Sequence, residues 1–247
     1  MGTYLITGAT GGIGAAVAGL LRERGHDLIL TGRSAEKLAA LSGSLSGGAH
    51  ARTQAFSIGQ ATTATATAVH TLVLDLNEPR RLEAALVEAD LPDRLDGVIH
   101  SAGFVHLGTV AETEADEWID HLNTNLVSAA ELTRLLLPAL RAAQGHVVFV
   151  NSTAGLRANP NWSAYAASKF GLRALADSLR AEEPELRVTT VYPGRTATEM
   201  QRRVRAQEGK DYRAEDFADA ATVARVLVGA LETPRDAVVS DVSVRPH

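Results

Sequence analysis

Short, nearly continuous apolar runs alternate along the chain with longer stretches in which apolar residues return every three or four positions. Thr3–Thr7, DLILT, VHTLVLD, DGVIH, HVVFV, LRVTTVYP and the final AVVSDVSV predict strands. Between them AAVAGLLRERG, AEKLAAL, PRRLEAALVEA, the stretch from Glu114 to Ala143, AYAASKFGLRALADSLRAEE and the stretch from Asp216 to Glu232 predict helices. Regular alternation of strand and helix predicts an α/β fold, a doubly wound parallel sheet of about seven strands with helices on both faces. The whole chain, 1–247, reads as a single domain without linker or internal repeat.

Three stretches break the pattern. Ser42 to Ala68 is rich in Gly, Ser, Thr and Ala and contains ATTATATA. It predicts a mobile surface insertion at the end of the sheet away from a ligand crevice, with an extra edge strand as the alternative. Asn123 and Asn125 sit inside the long helix although asparagine forms helix poorly, so one of them either bonds a local carbonyl and bends the helix or serves a buried polar network. Residues 195–215 carry Arg202, Arg203, Arg205 and Lys210 outside the regular alternation. They predict a lid whose cations favour an anionic substrate, or else a solvated helix face.

Composition narrows the function classes. A net charge of -5 offers no basic surface for nucleic acid, and the absence of cysteine removes thiolate catalysis, disulfides and Cys-based metal sites. No apolar run approaches bilayer length and a strand begins almost at the first residue, so a cytoplasmic protein without a membrane partner is expected. Asn151 and Asn161 each start an N-x-[ST] match that is meaningless without a secretory route.

The candidate chemistry lies at strand ends. GATGGIG joins the first strand to the first helix, and Gly8, Gly12 and Gly14 permit a tight turn, leaving helix N–H groups free to hold a diphosphate. The second strand ends in Gly32-Arg33-Ser34 with no carboxylate. A 2′-phosphate would not be repelled there, and the guanidinium and hydroxyl can grip it, so NADP is favoured over NAD. Ser34 as a simple helix cap is the competing reading. Asp75-Leu76 closes the third strand where an adenine can lie, or Asp75 serves only the entry to the next helix. Tyr165 and Lys169, four residues apart on one helix, project from the same side, and an ammonium beside a phenol lowers the phenol's pKa toward the working range. Ser152, just past a strand, presents a hydroxyl to the same place, and Phe104 to Leu107, Asn159 and Trp162 offer a pocket wall.

Taken together these motifs resemble the short-chain dehydrogenase/reductase family over nearly the whole chain except the Ser42–Ala68 tract. The resemblance implies a Rossmann-like fold in which Ser152, Tyr165 and Lys169 form the S, Y-x-x-x-K active site, with Asn125 of N-x-N-L as a fourth catalytic member holding a water. It implies a cofactor site made of Gly8, Thr10, Gly12, Ile13, Gly14, Arg33, Ser34, Asp75, Leu76, Ser101, Ala102, Gly103, Tyr165, Lys169, Pro193, Gly194, Thr196 and Thr198. The family's N-A-G element stands here as Ser101-Ala102-Gly103, so a hydroxyl replaces the amide that normally steadies the cofactor region. The implied activity is NADP-dependent hydride transfer between the cofactor and a small-molecule carbonyl or secondary alcohol, in a homodimer or homotetramer. A non-catalytic NADP-binding regulator of the same fold is the alternative, although such proteins usually carry a damaged active site.

Overall fold

The computed structural model describes residues 1–46 and 67–247. In chain order the elements are β1 (Thr3–Thr7), α1 (Gly12–Glu23), β2 (Asp27–Gly32), α2 (Ala35–Leu45), β3 (Val69–Val73), α3 (Leu82–Glu88), β4 (Gly97–His100), α4 (Ala115–Leu122), a π-helical turn (Asn123–Val127) and α5 (Ser128–Ala143). Then follow β5 (His146–Val150), α6 (Ser163–Glu182), β6 (Arg187–Pro193), β7 (Thr196–Ala197), α7 (Glu199–Gln207), β8 (Ala218–Asp219), α8 (Ala220–Leu231) and β9 (Asp241–Val244). Seven strands make one sheet in the order β3-β2-β1-β4-β5-β6-β9, all neighbours parallel. This is the doubly wound Rossmann-like arrangement, and its strand order reverses between β1 and β4, the place where such sheets open a crevice.

Because successive strand residues face opposite ways, each central strand feeds two cores. Leu5, Val98, Val147 and Phe149 pack with Leu132, Leu136 and Leu140 of α5 and Leu172, Ala176 and Leu179 of α6. Ile6, Ile99, Val148 and Val191 face the other way, onto Val17 and Leu21 of α1 and Val223 and Leu227 of α8. The near-continuous apolar reading of the strands thus reflects burial on both faces.

Several boundaries differ from the sequence reading. Helix α2 runs to Leu45, so the start of the Ser42–Ala68 tract is helical, and 47–66 lie outside the described residues. The final strand begins at Asp241, because pairing with β6 starts only where Thr190 meets Asp241. Helix α8 starts at Ala220, where Asp219 caps it by accepting from the Ala221 N–H at 2.9 Å. The 114–143 helix is broken by the π turn that carries both asparagines. Among the described residues no helix is long and apolar enough to cross a membrane.

Candidate active site

The crevice begins at the glycine turn. Gly8 has φ +61°, and a Cβ there would sit 2.6 Å from the Ala102 Cα, so backbone from β1 and β4 meets in a contact only glycine allows. At Gly12 a Cβ would lie 2.6 Å from Thr198 Cγ2, which lets the segment after β6 close onto the same turn. Helix α1 has glycine at its N-cap and no side-chain cap, so its first N–H groups and dipole face a cleft of about 600 Å³.

Around that cleft the structure brings together Gly8, Thr10, Gly12, Ile13, Gly14, Arg33, Asp75, Leu76, Ser101, Ala102, Gly103 and Thr198. Ser34 is absent from its lining. Its Oγ accepts from the Lys37 N–H at 3.2 Å and caps α2, so the capping alternative is the one the structure takes. Lys37 itself lines the cleft beside Arg33, and neither cation forms an ion pair among the described residues. Its spacing of four from Arg33 could have signalled it. Asp75 fills both suggested roles, bordering the cleft while Oδ1 accepts from the Asn77 N–H at 3.0 Å. The Ser101 Oγ is buried without a hydrogen-bond partner beneath the turn.

A second chamber of about 380 Å³ shares a wall with the first and is bordered by Ser152, Tyr165, Lys169, Pro193, Gly194, Thr196 and Thr198. Ser152 ends the chain run from β5 and caps the short turn Thr153–Gly155, its Oγ accepting from the Ala154 N–H at 3.1 Å. The Ser152 hydroxyl lies close enough to the Tyr165 phenol to act on its pKa. Tyr165 and Lys169 occupy the first two turns of α6 and are 7% and 3% exposed.

Their electrostatics differ from the sequence expectation. The Tyr165 pKa is raised, not lowered, because burial of the phenolate outweighs the opposing hydrogen bond from Ser152. Lys169 Nζ donates to the Val150 carbonyl at 3.0 Å and lies 5.8 Å from the centre of the Tyr165 ring. Burial lowers the Lys169 pKa to about 8.

Asn125 is 2% exposed, and its amide is fully engaged. Oδ1 accepts from the Phe104 N–H at 2.7 Å, while Nδ2 donates to the Phe104 carbonyl and to Ser168 Oγ, both at 2.9 Å. Of the two alternatives for an in-helix asparagine, Asn125 takes the buried polar network, with protein groups as its partners. Its side chain brackets the loop after β4 to α6, with both amide donors used by protein groups.

His121 of α4, fully buried, was not singled out by the sequence reading. Its Nε2 accepts from the His106 N–H at 3.0 Å and Nδ1 donates to the Glu117 carbonyl, which fixes a neutral tautomer. Its ring packs 4.6 Å from Phe104 and 6.4 Å from Tyr165. A histidine on a short amphipathic helix gave no sequence signal for this. Trp162 packs edge-on to Tyr165 at 5.6 Å, and Trp162 and Asn159 border the chamber, as expected.

The 195–215 segment crosses the mouth of both cavities as β7, α7 and the turn that follows. Its cations are largely paired within the segment. Arg202 and Arg203 meet Glu199 at 3.4 and 3.5 Å, and Glu208 takes both Arg195 and Arg205. Gln207 Oε1 accepts from the Leu107 N–H at 2.7 Å, tying α7 to the loop after β4 across the cleft. Among the described residues no acidic or histidine cluster could hold a metal.

The short chain dehydrogenase profile matches residues 3–209. Dehydrogenase/reductase SDR family member 7B from Bos taurus is 32% identical over 96% of this chain and 73% of its own length. Of its mouse and frog counterparts the chain spans between 62% and 65%. A short chain dehydrogenase from Escherichia coli CFT073, solved with NADPH, is 26% identical with a TM-score of 0.82, covering 99% of this chain and 97% of that one. An alcohol dehydrogenase from Thermococcus sibiricus, solved with 5-hydroxy-NADP, superposes with a TM-score of 0.83 at 22% identity over 99% and 96% of the two chains, a likeness of fold. With a matching fold, a glycine-lined cleft and an adjoining Ser-Tyr-Lys chamber, this chain belongs to the short chain dehydrogenase family of NAD(P)-dependent oxidoreductases.

Proposed function

We propose that the protein is an NADP-linked carbonyl reductase, reversible toward secondary alcohols, in which Tyr165 exchanges the proton. The observation that carries this reading is the Ser152, Tyr165 and Lys169 set, with the tyrosine and lysine buried, bordering one chamber that adjoins the glycine cleft. The residues present fit the dinucleotide. The glycine turn leaves no room for side chains, the α1 N-terminus is uncapped, and Arg33 and Lys37 stand free at the end where a 2′-phosphate would lie. That cationic pair, with no carboxylate after β2, supports NADP over NAD, as does the NADPH bound by the E. coli relative. A bound nicotinamide supplies hydride to the carbonyl carbon, or accepts it from the alcohol.

The chain's own groups manage the oxygen. A phenol whose pKa is raised by burial stays protonated near neutral pH, which suits it to donate to a carbonyl oxygen. Ser152 orients and polarises that oxygen through its hydroxyl. Lys169, still cationic at pH 7 with its pKa near 8, stabilises the phenolate left after donation. Asn125 fixes the loop at Phe104 against α6, so the chamber wall and Tyr165 keep one geometry. Ile119, Val127 and Phe170 are 50%, 42% and 42% exposed on α4, the π turn and α6, which supports self-association through these helices.

The test is NADPH oxidation across a panel of aldehydes and ketones, with NADH in parallel. Turnover preferring NADPH is expected. Tight NADPH binding with no turnover on any carbonyl, together with a stable protein partner, would replace this reading with a regulatory one.

A further inference from the structure

Gln201 is the anomaly of the chamber wall. It sits in the first turn of α7, where its backbone N–H is capped by Thr198 Oγ1 at 3.2 Å, and it is 7% exposed. Its amide makes no hydrogen bond with any described residue, and Nε2 is fully buried without a partner. A buried amide left unpaired costs about 1–3 kcal/mol, and because no described residue holds this amide, it is free to turn about its last bond and present its donor to a ligand in the chamber it borders. Gln201 borders the same chamber as Ser152 and Tyr165.

The surrounding chemistry says what kind of partner. The walls near α7 are apolar, formed by Val105, Trp162, Met200 and Val204. Apart from Lys169, the only cation in the lining among the described residues is Arg195. Its guanidinium is held in two hydrogen bonds by Glu208 while lying 5.9 Å over the Trp162 ring. With that charge already neutralised, the wall offers a neutral amide in an apolar setting, which suits an uncharged oxygen and penalises a carboxylate.

We infer that Gln201 is a specificity-determining residue: it hydrogen-bonds a second, uncharged oxygen of the substrate, a hydroxyl or keto group set apart from the reacting carbonyl. The preferred substrates are therefore carbonyl compounds with a neutral oxygen substituent on an otherwise apolar frame. This rests on the carbonyl-reductase reading above.

The experiment compares matched trios of ketones and aldehydes that differ at one position, such as 4-hydroxycyclohexanone, 4-methylcyclohexanone and 4-oxocyclohexanecarboxylate, by NADPH oxidation with the parent and Gln201→Met. The parent should favour the hydroxyl member over both others by at least about tenfold in kcat/KM, mostly through KM. Gln201→Met should bring the hydroxyl-to-methyl ratio to about one, with NADPH affinity within about twofold of the parent. Because the side chain bonds nothing in the protein, the variant should fold. If it does not, Gln201→Leu removes both the donor and the acceptor at similar volume, and should likewise bring the ratio to about one. A ratio that survives either folded variant, a preference for the carboxylate, or a parallel loss of NADPH affinity would overturn the inference. Turnover without any preference defeats this inference alone, whereas no turnover of any member defeats the reductase reading beneath it.

Discussion

The two sides of the chamber are built on opposite plans. On the α6 side, Asn125, Ser152, Tyr165, Ser168 and Lys169 are tied into one another or to backbone, and all but Ser152 are nearly inaccessible. On the α7 side, ion pairs and the Gln207 latch fix the helix from outside, while the group facing the chamber, Gln201, is left unbonded. The difference is that between groups that must be held still for chemistry and groups that wait for a partner.

The sharpest break on the rigid side is Lys169→Met. It should lower kcat/KM for carbonyl reduction by about a thousandfold, since proton-transfer groups typically contribute 10²–10⁴-fold. It should also raise stability at pH 7. The native amine titrates near 8 instead of its ordinary 10.5, so holding its charge inside opposes folding by up to about 3 kcal/mol, partly offset by the bond to Val150. The sign follows from proton counts. Between pH 8 and 10.5 the unfolded chain holds the proton that the native chain has released, so the parent gains stability as pH rises and the variant's advantage shrinks. Thermal melts at pH 7 and pH 10 check this, and reduction by the parent should decline as pH climbs through about 8.

Asn125→Ala strikes the bracket instead of the charge. It strands the Phe104 N–H and carbonyl and Ser168, and should cost about 2–4 kcal/mol in denaturant unfolding. A smaller effect belongs to the cofactor end. Replacing Arg33 and Lys37 together with alanine should raise KM for NADPH by about 10–100-fold, as expected for lost charge-assisted bonds to phosphate, and leave KM for NADH nearly unchanged. Ser34→Ala should do least, lowering stability by about 0.5–2 kcal/mol through the lost cap without changing the preference between the two cofactors.

Legibility in the sequence follows the same division. The sheet was readable because strands buried on both faces are near-continuous apolar runs, and the glycine turn because a backbone contact such as Gly8 against Ala102 tolerates no other residue. Tyr165 and Lys169 were readable because four-residue spacing on a helix sets direction. Their protonation was not, because spacing says nothing of burial, and burial of the phenol outweighs the opposing hydrogen bond from Ser152 here. His121, Lys37 and Gln201 escaped for a related reason. Each matters through what lies across a cleft or loop from it, as His106 lies against His121, and no local pattern encodes that. The cations of 195–215 looked available in the sequence because their partners, Glu199 and Glu208, count only once α7 fixes their geometry.

The most direct measurement is the rate of NADPH oxidation by Tyr165→Phe, with cofactor binding followed separately by fluorescence titration. The variant keeps the ring against Trp162 and loses only the hydroxyl, so binding should stay within about twofold while turnover falls by at least about a thousandfold. Turnover within about tenfold of the parent, with binding intact, would contradict Tyr165 as the proton donor.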